Sequence, residues 1–235
     1  MTAQGAPAID VVVARYRESV SWLRKTPHAL RLFVYDKGGD LAAADASRAE
    51  IVPLPNVGRE AHTYLTHIVR HYHELAPLNV FCQGKPFDHV PEFHRVLREL
   101  AAGAPVPGGF RWLGFIVDTD DPRGRRLFVS WSKNQNRREL ALDRFYLKLF
   151  GAPCPERVRF YPGANFVVSR ERIQSRPESF FQKALELAET FPDAAHCFER
   201  VWDAMFGVVG VDAALLPDRD TVYLRPVKRL SRAPS

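Results

Sequence analysis

The chain has 235 residues, 46% of them hydrophobic and 26% charged, with a formal net charge of +6. That length suits one domain with a sizeable core, and that balance excludes disorder along the whole chain. The positive balance leaves two readings open: a well-solvated basic surface, or an anionic partner such as nucleic acid, a membrane surface or a nucleotide-sugar.

Cys82, Cys154 and Cys197 are widely spaced and form no C-x-x-C pair. A disulfide framework and a structural zinc site are therefore not expected, and a reducing compartment fits best. Met1–Ile9 lacks the basic and apolar regions of a secretory signal, and no apolar run approaches the roughly 20 residues that span a bilayer. A soluble, cytoplasmic protein is expected.

In chain order, Ile9–Arg15 (IDVVVAR) reads as a buried first strand. Tyr16–Lys25 holds a short helix that stops before Pro27. Arg31–Tyr35 is the second strand, closed by the turn Asp36–Asp40. Leu41–Ala49 reads as a loop and Ile51–Leu54 as a third strand. A helix is predicted from about Val57, with Asn56 as its N-cap and Ala61, Tyr64, Leu65, Ile68, Val69 and Tyr72 on its apolar face. Leu78–Cys82 is the fourth strand. Pro91 suits the first turn of the next helix, which buries Phe93, Val96, Leu97 and Leu100.

A Pro- and Gly-rich loop at Ala101–Gly109 separates the two halves. Beyond it, Phe110–Val117 is predicted as one strand, Asp118–Gly124 as a turn and Leu127–Trp131 as another strand. A helix is expected over Arg137–Phe150, then strands over Val158–Tyr161 and Asn165–Val168. Ser169 is placed as a cap for a short helix over Arg170–Ser175. Pro177–Thr190 and Ala194–Phe206 are predicted helices, and Thr221–Leu224 a last strand. The expected organisation is one α/β domain over 1–216 and a basic tail over 217–235. Its sheet is expected to be open, twisted and mostly parallel, with helices on both faces and a ligand outside the carboxyl ends of the strands.

Several stretches carry residues able to do chemistry. Asn56–Glu60 opens a helix after a strand, where exposed N–H groups and Arg59 suit an anion and Gly58 allows close approach. A capped helix with a surface Arg–Glu pair is the plainer alternative. Gln83–His89 follows the fourth strand. Its Asp88 and His89 suit a divalent ion, a sugar hydroxyl or proton transfer, or Asp88 caps the following helix. Glu199 and Arg200 sit on an apolar helix, where Glu199 is either a base or the partner of an arginine. His67 and His71 have the i, i+4 spacing of zinc ligands, with Glu60 near the same flank. Ile68 stands where a metalloprotease has glutamate. Asp118-Thr119-Asp120 is a literal D-x-D after a strand, and Asp121–Gly124 gives it the look of a turn.

The ordered motifs NVGREAHTYL, VFCQGKPFDH, FYPGANFVVSRERI and ERVWDAMFG, spanning about Val11–Gly207, resemble a large domain family of unknown function from bacteria and fungi. That family in turn resembles glycosyltransferases of the nucleotide-diphospho-sugar (type A) fold. Asn56–Glu60 is similar to an N-x-G-R-D/E element of rhamnan-type transferases, and Gly163–Arg170 to a G-A-x-F-x-x-S-R element of others. The resemblance implies a nucleotide-sugar donor pocket at Asn56, Arg59, Glu60, Gln83, Lys85, His89 and Arg200. It places Gly163, Ala164 and Asn165 at the sugar or acceptor site, and Glu199 and Asp88 in catalysis. It implies Mn2+ or Mg2+ on Asp88, with Asp118 and Asp120 as the alternative. Lys85, where an acid is expected, makes metal independence the competing expectation. Sugar transfer to a hydroxyl or glycan acceptor is the leading expectation. A non-catalytic carbohydrate- or nucleotide-binding protein is the alternative, and no nucleic-acid motif is present.

Overall fold

The computed structural model describes residues 9–42, 46, 48–126 and 139–225. The predicted strand at 127–131, the start of the helix predicted from Arg137 and the basic tail beyond Arg225 lie outside the described residues.

Among the described residues, nine strands form two sheets. The larger contains β1 (Ile9–Arg15), β2 (Arg31–Asp36), β3 (Glu50–Pro53), β4 (Leu78–Gln83), β5 (Phe110–Trp112) and β8 (Phe166–Ser169). Its order is β3-β2-β1-β4-β8-β5. Strands β3, β2, β1 and β4 run parallel, and β8 lies antiparallel to both β4 and β5. A smaller antiparallel sheet has the order β7-β6-β9, from β7 (Val158–Phe160), β6 (Ile116–Asp120) and β9 (Thr221–Tyr223).

β1 is apolar along nearly its whole length because it is the inner strand of the parallel part and has helices on both sides. Alternate residues feed two cores. Val11, Val13, Val34, Val80 and Cys82 pack with Trp22, Leu23 and the apolar face of α2 (Phe93–Ala101). Val12, Phe33, Phe81 and Phe166 face the opposite core, built on α1 (Arg59–Arg70), α5 (Glu178–Thr190), α6 (Ala194–Glu199) and α7 (Trp202–Met205). Trp202 lies fully buried there, stacked 5.4 Å from Phe198 and tilted against Phe166 at 5.1 Å. The remaining helices are α3 (Leu142–Phe150) and α4 (Arg170–Gln174). Ser169 caps α4 as predicted, its hydroxyl accepting from the Arg172 N–H at 3.3 Å.

The structure departs from the predicted elements at several places; α3 begins only at Leu142, after the left-handed Ala141, and α2 at Phe93, so residues 139–141 and Pro91 lie outside the helices predicted to hold them. The predicted strand over Phe110–Val117 is two strands in two different sheets, broken at Leu113–Phe115. Gly114 sits against the Tyr161 ring there, and the Leu113 N–H donates to the Asn165 carbonyl, which turns the chain out of the large sheet. Asp118–Asp120 is not a turn but the end of β6, paired with Phe160, Arg159 and Val158. The predicted helix over Ala194–Phe206 breaks at Arg200–Val201, where both N–H groups bond three residues back instead of four. Finally, α1 begins at Arg59, so Asn56 lies outside it and the N-cap is Gly58.

The break before α7 has a visible cause. Arg200 turns inward, 1% exposed, and its Nε donates to Asp120 Oδ2 at 2.8 Å while its guanidinium lies over the Phe160 ring. This pair fastens the small sheet to the helices. Asp120→Ala takes the closest counter-charge from the buried Arg200, leaving it the Glu199 carboxylate at 3.5 Å and the His196 carbonyl, and urea unfolding at pH 7 should show a loss of about 3–5 kcal/mol. Glu99→Ala, which removes the exposed Arg95–Glu99 pair, should change stability by less than about 1 kcal/mol.

Candidate functional site

The chain runs outward from β1 to β2 and β3, then returns to place β4 on the other side of β1. Strand order therefore reverses between β1 and β4, and the loops beyond their carboxyl ends diverge and leave a crevice. A cleft of about 470 Å³ opens there. Its wall takes Ala14, Arg15, Tyr16 and Glu18 from the end of β1 and Lys37 from the end of β2. Asn56, Arg59 and Glu60 come from the entry to α1, and Gln83, Lys85 and Asp88 from the loop after β4.

Arg15 ties the floor together. Its Nη1 donates to Asp36 at 2.5 Å and to Asp40 at 2.7 Å, and its Nε donates to the Glu18 carbonyl at 2.9 Å. The Asp40 carboxyl is held below its usual range by that guanidinium. Arg15 is thus largely neutralised, and it shapes the loops more than it recruits an anion.

Lys37 does something less usual. Its ammonium, 8% exposed, donates to the carbonyls of Val57 and Arg59, each at 2.5 Å. Those carbonyls bracket two consecutive left-handed residues, Gly58 at φ +58° and Arg59 at φ +48°. Gly58 is required there, since a Cβ would lie 2.6 Å from the Ala188 carbonyl oxygen of α5. Arg59 is the strained member, and the Lys37 clamp holds it with its side chain exposed in the cleft. Burial pushes the Lys37 amine down to about 8, partly opposed by Glu60. Glu60 is pushed up to about 7, first by burial and then by repulsion from Glu199.

The loop after β4 closes the other side. Lys85 and Asp88 are both 61% exposed and pair at 3.0 Å across one turn. Asp88 sits in a 3-10 turn, and α2 starts later, at Phe93, with Glu92 as its N-cap, so Asp88 does not cap it. His89 packs over Gly163, whose φ of +98° and missing Cβ leave room for the imidazole. The Gly163 N–H donates to Glu199 Oε1 at 2.6 Å. Asn165 is fully buried. It accepts from the Gln83 N–H at 3.1 Å and donates to the Gly163 carbonyl at 2.9 Å, joining β4 to the loop before β8. Ala164, also buried, adopts φ +50°.

The predicted residues thus divide. Asn56, Arg59, Glu60, Gln83, Lys85 and Asp88 share the cleft. His89, Gly163, Ala164, Asn165 and Glu199 form a contiguous layer beside it. Arg200, expected at the donor, points instead to Asp120 and the His196 carbonyl. Asp118 accepts from Thr221 and Arg126, and Asp120 from Arg200, so this D-x-D is a structural ion-pair element. His67 is buried against Phe33 and shares a hydrogen bond with Tyr35, and burial pulls it well below its ordinary value. Among the described residues no group of three His, Cys, Asp or Glu side chains is placed to hold a metal ion. The sequence reading passed over Arg15, Tyr16, Glu18 and Lys37. Their signal was position alone, since each follows the carboxyl end of an apolar strand.

Gly163→Ala adds a Cβ into the His89 ring at a left-handed position. It should cost about 1–3 kcal/mol, read as a lower thermal midpoint. Glu60 has a native value of about 7 against an ordinary 4.5, so the folded state binds the extra proton between those values. Its stabilising contribution is therefore full below about 4.5 and is lost as pH rises through about 7. Urea unfolding at pH 5 and pH 8 should show a smaller decline for Glu60→Gln than for the wild type.

No curated protein matches the chain significantly. The profile of a family described as a protein of unknown function, DUF3431, matches residues 11–223, and the chain belongs to that family.

Proposed function

We propose that the cleft binds a nucleotide-diphospho-sugar and that the protein transfers the sugar to a hydroxyl acceptor. The observation that carries this is the placement of Arg59 and Lys85 on facing loops at the point where strand order reverses, with Lys37 beneath Arg59. A diphosphate needs opposed cations on a rigid frame, and crevices outside strand carboxyl ends are where open sheets hold nucleotides. The exposed carboxyl of Asp88 and amide of Asn56, with the half-buried Gln83 amide, then offer acceptors and donors for sugar hydroxyls.

The donor set suits a lysine-neutralised diphosphate better than a metal-bridged one. Asp88 is already paired with Lys85, and Asp118 and Asp120 are engaged with Arg126 and Arg200. The proposed binding is therefore independent of Mn2+ or Mg2+, with Lys85 released from Asp88 onto the diphosphate.

Isothermal titration with UDP and GDP tests this. Binding should be equal with and without Mn2+. Arg59→Ala and Lys85→Ala should each weaken it by about tenfold, the loss of one charge-assisted contact. Absence of binding by any common nucleoside diphosphate, with or without Mn2+, overturns the proposal. Binding without donor turnover selects the non-catalytic alternative.

A further inference from the structure

Two carboxylates stand close together here, Glu60 in the cleft wall and Glu199 in the layer beside it, and the structure gives them different work. Glu199 is fixed. Its Oε1 accepts from the Gly163 N–H at 2.6 Å, its Oε2 lies 3.5 Å from Arg200 Nη1, and it is not part of the cleft wall. Glu60 faces the cleft from the first turn of α1, directly after the strained Gly58-Arg59 pair that the Lys37 clamp holds in place. An acid in a first helical turn is ordinarily kept charged by the helix N-terminus. Here burial and the neighbouring Glu199 charge work the other way.

We propose that Glu60 is the general base that takes the proton of the acceptor hydroxyl, and that Glu199 is a positioning residue held beside it. This rests on the sugar-transfer reading of the cleft. The acceptor O–H proton passes to a Glu60 oxygen. The acceptor oxygen's electron pair forms the new bond to the anomeric carbon. The bond from that carbon to the diphosphate oxygen breaks, and its electron pair leaves with the nucleoside diphosphate, neutralised by Arg59 and Lys85. Glu60 then releases its proton to water. One displacement inverts the anomeric carbon.

A base works best when its proton affinity lies near the working pH. Glu60 at about 7 meets that condition, and the charges that set it come from three elements: Glu199 on α6, Arg59 on α1 and Lys37 after β2. His196, on α6 as well, interacts with both Glu199 and Arg59.

The test has two arms. In the first, the side-chain carboxyl carbons of the full chain are followed by 13C NMR across pH 4–9, with Glu60 assigned by Glu60→Gln. Glu60 should titrate near 7 and fall toward the ordinary glutamate range in Glu199→Gln. Titration of Glu60 in the ordinary range in the wild type overturns the inference without touching the binding proposal. In the second, release of UDP from UDP-glucose and of GDP from GDP-mannose is measured with water or glycerol as acceptor. Glu60→Gln should lose at least about 100-fold in kcat with UDP affinity unchanged within about threefold. Glu199→Gln should shift the rising limb of the pH profile to lower pH, a change that a purely structural role for Glu199 would not produce. Full turnover by Glu60→Gln overturns the inference, as does loss of turnover in Glu199→Gln with an unshifted limb. Wild-type UDP binding without turnover of either donor removes the base role and leaves the binding proposal standing.

Discussion

The cleft depends on one buried ammonium. Lys37 binds the carbonyls of Val57 and Arg59 and so pins the entry to α1 to the end of β2. Without it, two successive left-handed residues would have little reason to persist, because Arg59 carries a Cβ against that conformation. With it, Arg59 is thrown into the cleft and Glu60 is set at the first helical turn. The backbone strain is held on one side by a charge and on the other by the close approach of α5 to Gly58.

The price of this arrangement is electrostatic. A lysine taken out of water loses part of its preference for the charged form, and Glu60 nearby restores only some of it. Glu60 in turn is pushed toward its neutral form by burial and by Glu199. The site therefore holds an amine and a carboxyl whose proton affinities have moved toward each other and toward neutrality. The Arg15–Asp40 pair behaves differently: Arg15 rises above its ordinary value and Asp40 falls below. Convergence of the two values in one cleft is a pattern associated with chemistry.

Around this centre the antiparallel strand β8 serves as a brace. Its preceding loop, Gly163–Asn165, carries a left-handed glycine, a left-handed alanine and a buried asparagine that bonds to the end of β4. The same loop holds the Glu199 carboxyl and seats His89. Residues 163–165 were expected to meet a sugar. In the structure they contact Gln83, Glu199 and His89, and so set where Glu199 and His89 stand.

Much of the parallel half was legible from the sequence. The run IDVVVAR, the spacing Tyr64–Leu65–Ile68 and the run LNVFC gave β1, α1 and β4 within a residue or two, because burial on both sides of a sheet and one side of a helix writes itself into local periodicity. The capping serine of α4 was legible for the same local reason. Phe110–Val117 and Ala194–Phe206 were not, since each is mostly apolar and tertiary contacts decide where it breaks: Tyr161 beside Gly114, and Asp120 receiving Arg200. The sequence likewise marked Asn56–Glu60 and Gln83–His89 as polar turns after strands; the cleft takes residues from both, and His89 sits beside it over Gly163. Only the fold decided that Arg15 and Lys37 join them, that the literal D-x-D and Arg200 satisfy each other elsewhere, and that Glu60 faces the cleft while Glu199 is held behind it. Short-range pattern fixes which segments are strands and helices; which charges meet is set by pairings 80 residues apart, as with Arg200 and Asp120, and no local signal encodes those.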